Sequence, residues 1–122
     1  MEKIRVGMIG TGGISHWHIS QLLELDMVEI TAMADPSKQS MDTVLEKFPI
    51  EKVKTYTDYK EMLTYEKLDA AILCSPHTLH FEQAMDVLDN DCHVLIEKPM
   101  TCSTKEAEQL IKKANSKNKV LQ

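Results

Sequence analysis

Four glycines occur in the chain, and all lie between positions 7 and 13: Gly7, Gly10, Gly12 and Gly13. Glycine is entropically costly, so a cluster marks a place where φ must turn positive or where something must touch the backbone. Gly10-Thr11-Gly12-Gly13-Ile14-Ser15 fits G-x-G-x-x-G with Ser15 in place of the third glycine. The first glycine permits a tight turn, the second lets a pyrophosphate reach the backbone, and a small third residue lets a helix pack close to a sheet. The N–H groups opening such a helix, aided by its dipole, attract phosphate. Asp35 follows 23 residues after Gly12. An acid at that distance accepts hydrogen bonds from a ribose diol and repels a 2′-phosphate, which favours NAD over NADP. Lys38, close by, would soften that preference.

Two further polar clusters stand directly behind apolar runs: Ser75-Pro76-His77-Thr78-Leu79-His80 and Glu97-Lys98-Pro99. A lysine beside a reacting hydroxyl could polarise a developing alkoxide or carbonyl oxygen, or pass a proton. His77 and His80 stand three apart, a spacing that can ligate a metal, but no third ligand is evident and no metal is expected. Cys74, Cys92 and Cys102 show no CxxC spacing and are read as reduced thiols. His16 and His18 are read as plain helix residues, and Trp17 as a packing residue.

Alternating elements must position these groups. Apolar runs at Ile4–Ile9, Met27–Ala34, Val53–Tyr56, Ala70–Cys74 and Val94–Ile96 read as strands, and Val120-Leu121 begins another. Between them lie helical stretches: Gly13 to about Leu25, with Ile14, Trp17, Leu22 and Leu25 on one stripe; Ser37–Phe48, with Met41, Val44, Leu45 and Phe48 at i, i+3, i+4, i+7; a short helix capped by Asp58; a face of Phe81, Ala84, Met85 and Leu88; and a last helix behind a Ser103/Glu106 capping box. Continuous apolar strands alternating with amphipathic helices predict an α/β fold, a doubly wound parallel sheet with its last strand cut short. Ligands of such sheets bind outside the carboxyl ends of the strands. The glycine turn, Asp35 and both later clusters therefore share one rim.

The 122 residues suffice for one dinucleotide-binding domain over 1–122. A formal charge of −5 argues against a nucleic-acid partner. No run of about 18 apolar residues predicts a membrane span, and no signal-peptide core precedes the first strand, so a cytoplasmic protein is expected.

The motifs Gly10-Thr11-Gly12-Gly13-Ile14, Ala34-Asp35-Pro36, Ser75-Pro76 with His80, and Glu97-Lys98-Pro99 occur in an order and spacing that resemble the Gfo/Idh/MocA oxidoreductases. The resemblance covers essentially the whole chain but only the amino-terminal half or less of a usual member. It implies hydride transfer between a nicotinamide cofactor and a secondary alcohol of a sugar or cyclitol. It implies Lys98 as the catalytic residue, with Glu97 positioning it or touching the cofactor. It implies cofactor contacts from Gly10, Thr11, Gly12, Gly13, Ile14, Asp35, Ser75, Pro76, His77, His80, Glu97 and Lys98. Members often carry Asn where this chain has His77. A substrate-binding, oligomer-forming second domain is expected beyond Gln122, so the chain alone is expected to bind NAD without turnover. Two alternatives stand beside this: a non-catalytic dinucleotide sensor of the same fold, and a methyltransferase, which gives no reason for Glu97-Lys98-Pro99.

Overall fold

The structure, a computed structural model, describes residues 2–122. Five strands, β1 Ile4–Ile9, β2 Val28–Ala34, β3 Lys54–Tyr56, β4 Ala70–Leu73 and β5 His93–Ile96, form one sheet in the order β3-β2-β1-β4-β5. Every pairing is parallel. Helices α1 Gly13–Leu22, α2 Lys38–Lys47, α3 Tyr59–Tyr65, α4 His80–Asp89 and α5 Thr104–Lys117 fill the connections, with a 3-10 turn at His77–Leu79. Val120 and Gln122 exchange backbone hydrogen bonds with Val94 and Ile96, so the last residues pair parallel to β5, as the sequence predicts.

Both faces of the sheet are covered, which is why its strands read as near-continuous apolar runs. Met8, Ile30, Met33 and Ile72 pack beneath Ile19 of α1 and Met41 and Val44 of α2. On the other face Ile9, Ala71, Leu73 and Val94 meet Met62 of α3, Val87 and Leu88 of α4, and Leu110 of α5. The Met41 stripe of α2 is inward, as its spacing predicts. Asp58 and Ser103 cap α3 and α5 by accepting from the backbone N–H groups of Lys60 and Glu106.

Two expectations are corrected. The first helix ends at Leu22, not Leu25. Its inward stripe is Ser15, His18, Ile19 and Leu22, whereas Ile14 is exposed and Trp17 is 58% accessible. Trp17 is therefore not a packing residue. The polar positions turn inward because each has a partner: Ser15 Oγ donates to the Gly12 carbonyl at 2.6 Å, and His18 reaches Glu97. A second irregularity lies in β2. Val6 pairs with Ile30 but Gly7 with Ala32, so Thr31 is an extra residue. This bulge puts Ile30 and Met33, three apart, on the same face.

The register aligns the strand ends. Ala34 sits opposite Ile9 and Tyr56, and Leu73 opposite Ile9 and Ile96. Residues Thr57, Asp35, Gly10, Cys74 and Glu97 therefore leave the sheet along one edge.

At the opposite edge Asp69 clasps the start of β1. Its Oδ2 accepts from the Arg5 N–H at 2.8 Å, and Arg5 Nε lies 3.5 Å away. The Arg5 N–H foremost, and the guanidinium after it, hold the Asp69 carboxyl below its ordinary value. A depressed carboxylate stabilises above its unfolded pKa, about 4, and that contribution is lost as pH falls through the lower folded value. Urea midpoints measured from pH 6 to pH 2 should show wild type above Asp69→Asn near neutrality, with the gap closing below pH 4. A gap independent of pH would contradict this assignment.

Candidate functional site

Gly10 opens the rim. Its N–H donates to the Ala34 carbonyl at 2.9 Å, and its φ is +91°. A Cβ here would stand 2.6 Å from the backbone of both Cys74 and Ser75. The turn therefore requires glycine for two reasons, conformation and the closeness of the β4 exit. Gly12 and Gly13 differ: a Cβ at either meets nothing within 4 Å. Their glycine character answers to no neighbour in the fold and leaves the backbone bare toward open space. Gly12 is the N-cap of α1 and brings no side-chain cap; the Ser15 N–H donates back to the Gly12 carbonyl at 3.0 Å, and the Gly13 and Ile14 N–H groups remain available to an acceptor.

Asp35 is tied to this turn. Oδ2 accepts from Thr11 N at 2.8 Å and from Thr11 Oγ1 at 2.9 Å, while Oδ1 accepts from Ser37 N at 2.8 Å. Three of about four lone-pair sites on the carboxylate are thus filled by the protein. The acid is both a brace of the fold and a fixed negative charge at the mouth of a cleft.

That cleft, of about 700 Å³, lies between the exits of β1, β2 and β4. Of the residues expected to hold a cofactor, Gly10, Gly12, Asp35, Ser75 and Pro76 line it. Thr11 and His80 are buried behind it. Gly13, Ile14, His77, Glu97 and Lys98 lie outside its lining. Thr57, Tyr59, Leu79 and Glu82 line it as well, and sequence reading missed them. The available signal was their position, just beyond β3 and at the start of α4. Tyr59 turns its hydroxyl away, donating to Asp86 Oδ2 at 2.6 Å. Burial, then that carboxylate, pushes the Tyr59 phenol well above its ordinary pKa. A neutral ring wall faces the cleft.

His80, 1% accessible, does not line the rim. Nδ1 lies 2.8 Å from the Pro99 carbonyl and Nε2 2.9 Å from the Ser75 carbonyl. Both ring nitrogens therefore face carbonyl oxygens inside the fold. Ser75 Oγ in turn donates to Gln83 Oε1. His18 is the residue that sequence reading set aside. It is buried, and its Nε2 lies 3.0 Å from Glu97 Oε1. Lys98 is exposed, and among the described residues no hydrogen bond or ion pair involves it. The Lys98-Pro99 peptide is cis. The thiol of Cys74, which lines the cleft, is pushed up to about 12 by burial and then by Glu97.

A family profile described as an oxidoreductase family with an NAD-binding Rossmann fold matches residues 4–122. The chain belongs to the Gfo/Idh/MocA oxidoreductase family. It is 31% identical over 98% of its length to a glycosyl hydrolase family 109 protein of Shewanella woodyi, and covers 27% of that protein. It is 30% identical over 97% of its length to a scyllo-inositol 2-dehydrogenase (NADP+) of Bacillus subtilis, and covers 35% of it. The WlbA dehydrogenase of Chromobacterium violaceum, solved with NADH and UDP-GlcNAcA, superposes with a TM-score of 0.91 at 25% identity, over 99% of this chain and 34% of that one. The chain thus spans about a third or less of the length of the relatives it matches.

Two outcomes follow from the geometry. Gly10→Ala should lose about 1–3 kcal/mol from the positive φ alone, and more from the overlap, whereas Gly12→Ala should melt within a degree or two of wild type. Calorimetry on the two variants checks this; equal losses would refute the distinction. At pH 8, dithionitrobenzoate should find one prompt thiol, exposed Cys102, since the raised Cys74 holds too little thiolate and Cys92 is buried.

Proposed function

We propose that the chain is the dinucleotide-binding domain of an NAD-dependent dehydrogenase acting on a secondary alcohol of a sugar or cyclitol. The observation that carries this is Asp35, anchored to the glycine turn at the mouth of an open cleft. The fit is good: bare Gly12 and Gly13 leave room for a pyrophosphate, and the cleft beyond has an apolar wall for a base. The nicotinamide ring, when bound, supplies the hydride acceptor or donor.

The residues of this chain divide the remaining work. The first-turn N–H groups of α1 hold the pyrophosphate. Asp35 accepts from a ribose hydroxyl with its remaining lone pair. Because Thr11 and Ser37 fix the carboxylate, it does not swing aside for a 2′-phosphate, and Asp58 and Glu82 add negative charge to the same cleft. NAD is accordingly preferred. Lys98, exposed on the same rim, stabilises negative charge on the oxygen of the reacting carbon. A second domain beyond Gln122 supplies the substrate pocket and the oligomer contacts; the length of the relatives supports this.

A second reading is favoured by one observation, the 31% identity to proteins named as a glycosyl hydrolase family 109 protein and an α-N-acetylgalactosaminidase. On it, the longer protein cleaves a glycosidic bond and retains its dinucleotide. Sugar release without accumulation of NADH would favour this reading; NADH formed in step with an oxidised sugar favours the dehydrogenase.

Calorimetric titration of the chain should show NAD+ binding at least tenfold, about 1.4 kcal/mol, more tightly than NADP+. Asp35→Ser should narrow that gap, and Gly12→Ala should weaken both. No heat with either dinucleotide would sink the proposal. In the longer protein, Lys98→Ala should keep NAD+ binding and lose about 10²–10³ in turnover. Unchanged turnover would remove Lys98 from the reaction, whereas dinucleotide binding with no turnover in the unsubstituted longer protein would favour the sensor reading.

A further inference from the structure

Lys98 lies in the irregular stretch between β5 and α5, residues 97–103. Such a loop is free to move unless something holds it. Among the described residues nothing holds Lys98 directly. Its two neighbours, however, are each gripped by a buried histidine from a different helix. On one side His18, in the second turn of α1, sets Nε2 3.0 Å from Glu97 Oε1; a carboxylate only accepts, so Nε2 carries the hydrogen. On the other side His80, at the start of α4, sets Nδ1 2.8 Å from the Pro99 carbonyl and Nε2 2.9 Å from the Ser75 carbonyl; both oxygens only accept, so a singly protonated ring donates to one of them and only the doubly protonated ring donates to both. His18 is 9% accessible and His80 is 1% accessible, so both rings are withdrawn from bulk water.

We propose that His18 and His80 are positioning residues that clamp the loop of Lys98 from both sides, through Glu97 and Pro99. This rests on the reading of Lys98 as the cation beside the reacting carbon. The bonds available to the loop show why two clamps are needed. Glu97 N donates to the Leu73 carbonyl at 3.0 Å and so completes the sheet edge. Beyond it Pro99 has no N–H to give, and the next bond, Thr101 Oγ1 to the Ser103 carbonyl at 2.7 Å, is internal to the loop. On the far side of Lys98 the Pro99 carbonyl is the nearest anchor, and among the described residues His80 is its hydrogen-bond partner; beyond it Met100 packs against the core and Cys102 Sγ lies 3.9 Å from the His77 carbonyl. His18 also turns the Glu97 carboxylate toward α1, the helix whose opening turn faces the cleft. Glu97 acts on Lys98 by holding its backbone; no ion pair joins the two side chains.

The test is ¹⁵N relaxation on the labelled chain. In wild type the Lys98 amide should be as ordered as the strands, with S² near about 0.85, and His18→Leu should lower it below about 0.6. His18→Gln, which keeps a donor in place of Nε2, should restore most of the order. His80→Ala should do the same to the Met100 amide from the other side. If His18→Leu fails to fold, Glu97→Ala, on the loop itself, removes the same bond with the same expected loss. A wild-type Lys98 already below about 0.6, or one unchanged by both His18→Leu and Glu97→Ala, would overturn the proposal. So would order lost evenly across α1 and β5. Titrating the same samples with NAD+ tests the other reading separately: unmoved Gly12 and Gly13 amides would sink the dinucleotide site, and the order parameters would still decide the clamp.

Discussion

Five parallel strands end on one row, and the site exists because they do. Parallel pairing brings Ile9, at the centre of the sheet, level with Ala34 on one side and Leu73 on the other. The next residue of each chain segment then emerges at the same height. Gly10 takes a positive φ there, and Cys74 and Ser75 already occupy the volume a side chain would need. A shift of one residue in either pairing would send Asp35 or Ser75 to a different level and leave the glycine turn without its acid. Register, more than any single bond, brings together residues 10, 35, 75 and 97.

Around that row the polar groups of the interior are spent on bracing. Asp35 fastens the glycine turn to the exit of β2, Gln83 and His80 fasten Ser75 to α4, and His18 fastens Glu97 to α1. Buried polar groups are costly unless partnered, and these are partnered, Thr11 with Asp35 across 24 residues and His18 with Glu97 across 79. The Thr31 hydroxyl, at the bulge of β2, is the exception among the described residues. The bulge reverses the facing of the following residues. It thereby lets Ile30 and Met33 serve the α1/α2 face while Ala32 and Ala34 stay small beneath α3 and α4.

The strands were legible because a sheet covered on both faces needs unbroken apolar runs, and Pro36, Pro76 and Pro99 punctuate their ends. The glycine turn and its acid were legible because glycine clustering has few other causes. The face of α1 was not. Helical periodicity weighs apolar side chains, and there Ile14 and Trp17 outweigh Ser15 and His18. The inward choice was made by hydrogen bonds: His18 has its partner 79 residues away, which no local pattern reveals. The cleft walls at Thr57, Tyr59 and Leu79 escaped for a related reason, since they are ordinary residues distinguished only by where the crossovers bring them.

The sequence by itself determined the alternation of elements, the glycine-bearing turn and the placement of the charged clusters just beyond apolar runs. These are local matters, set by chain stiffness, apolar period and the special conformations of glycine and proline. Tertiary structure alone decided which way each side chain looks. It made Asp35 a brace as well as an acid and turned Tyr59 ring-first to the cleft. It also left Lys98 bare between two anchored neighbours. Those outcomes depend on pairing between residues far apart in the chain, where an acceptor exists only once the sheet and both layers of helices have closed.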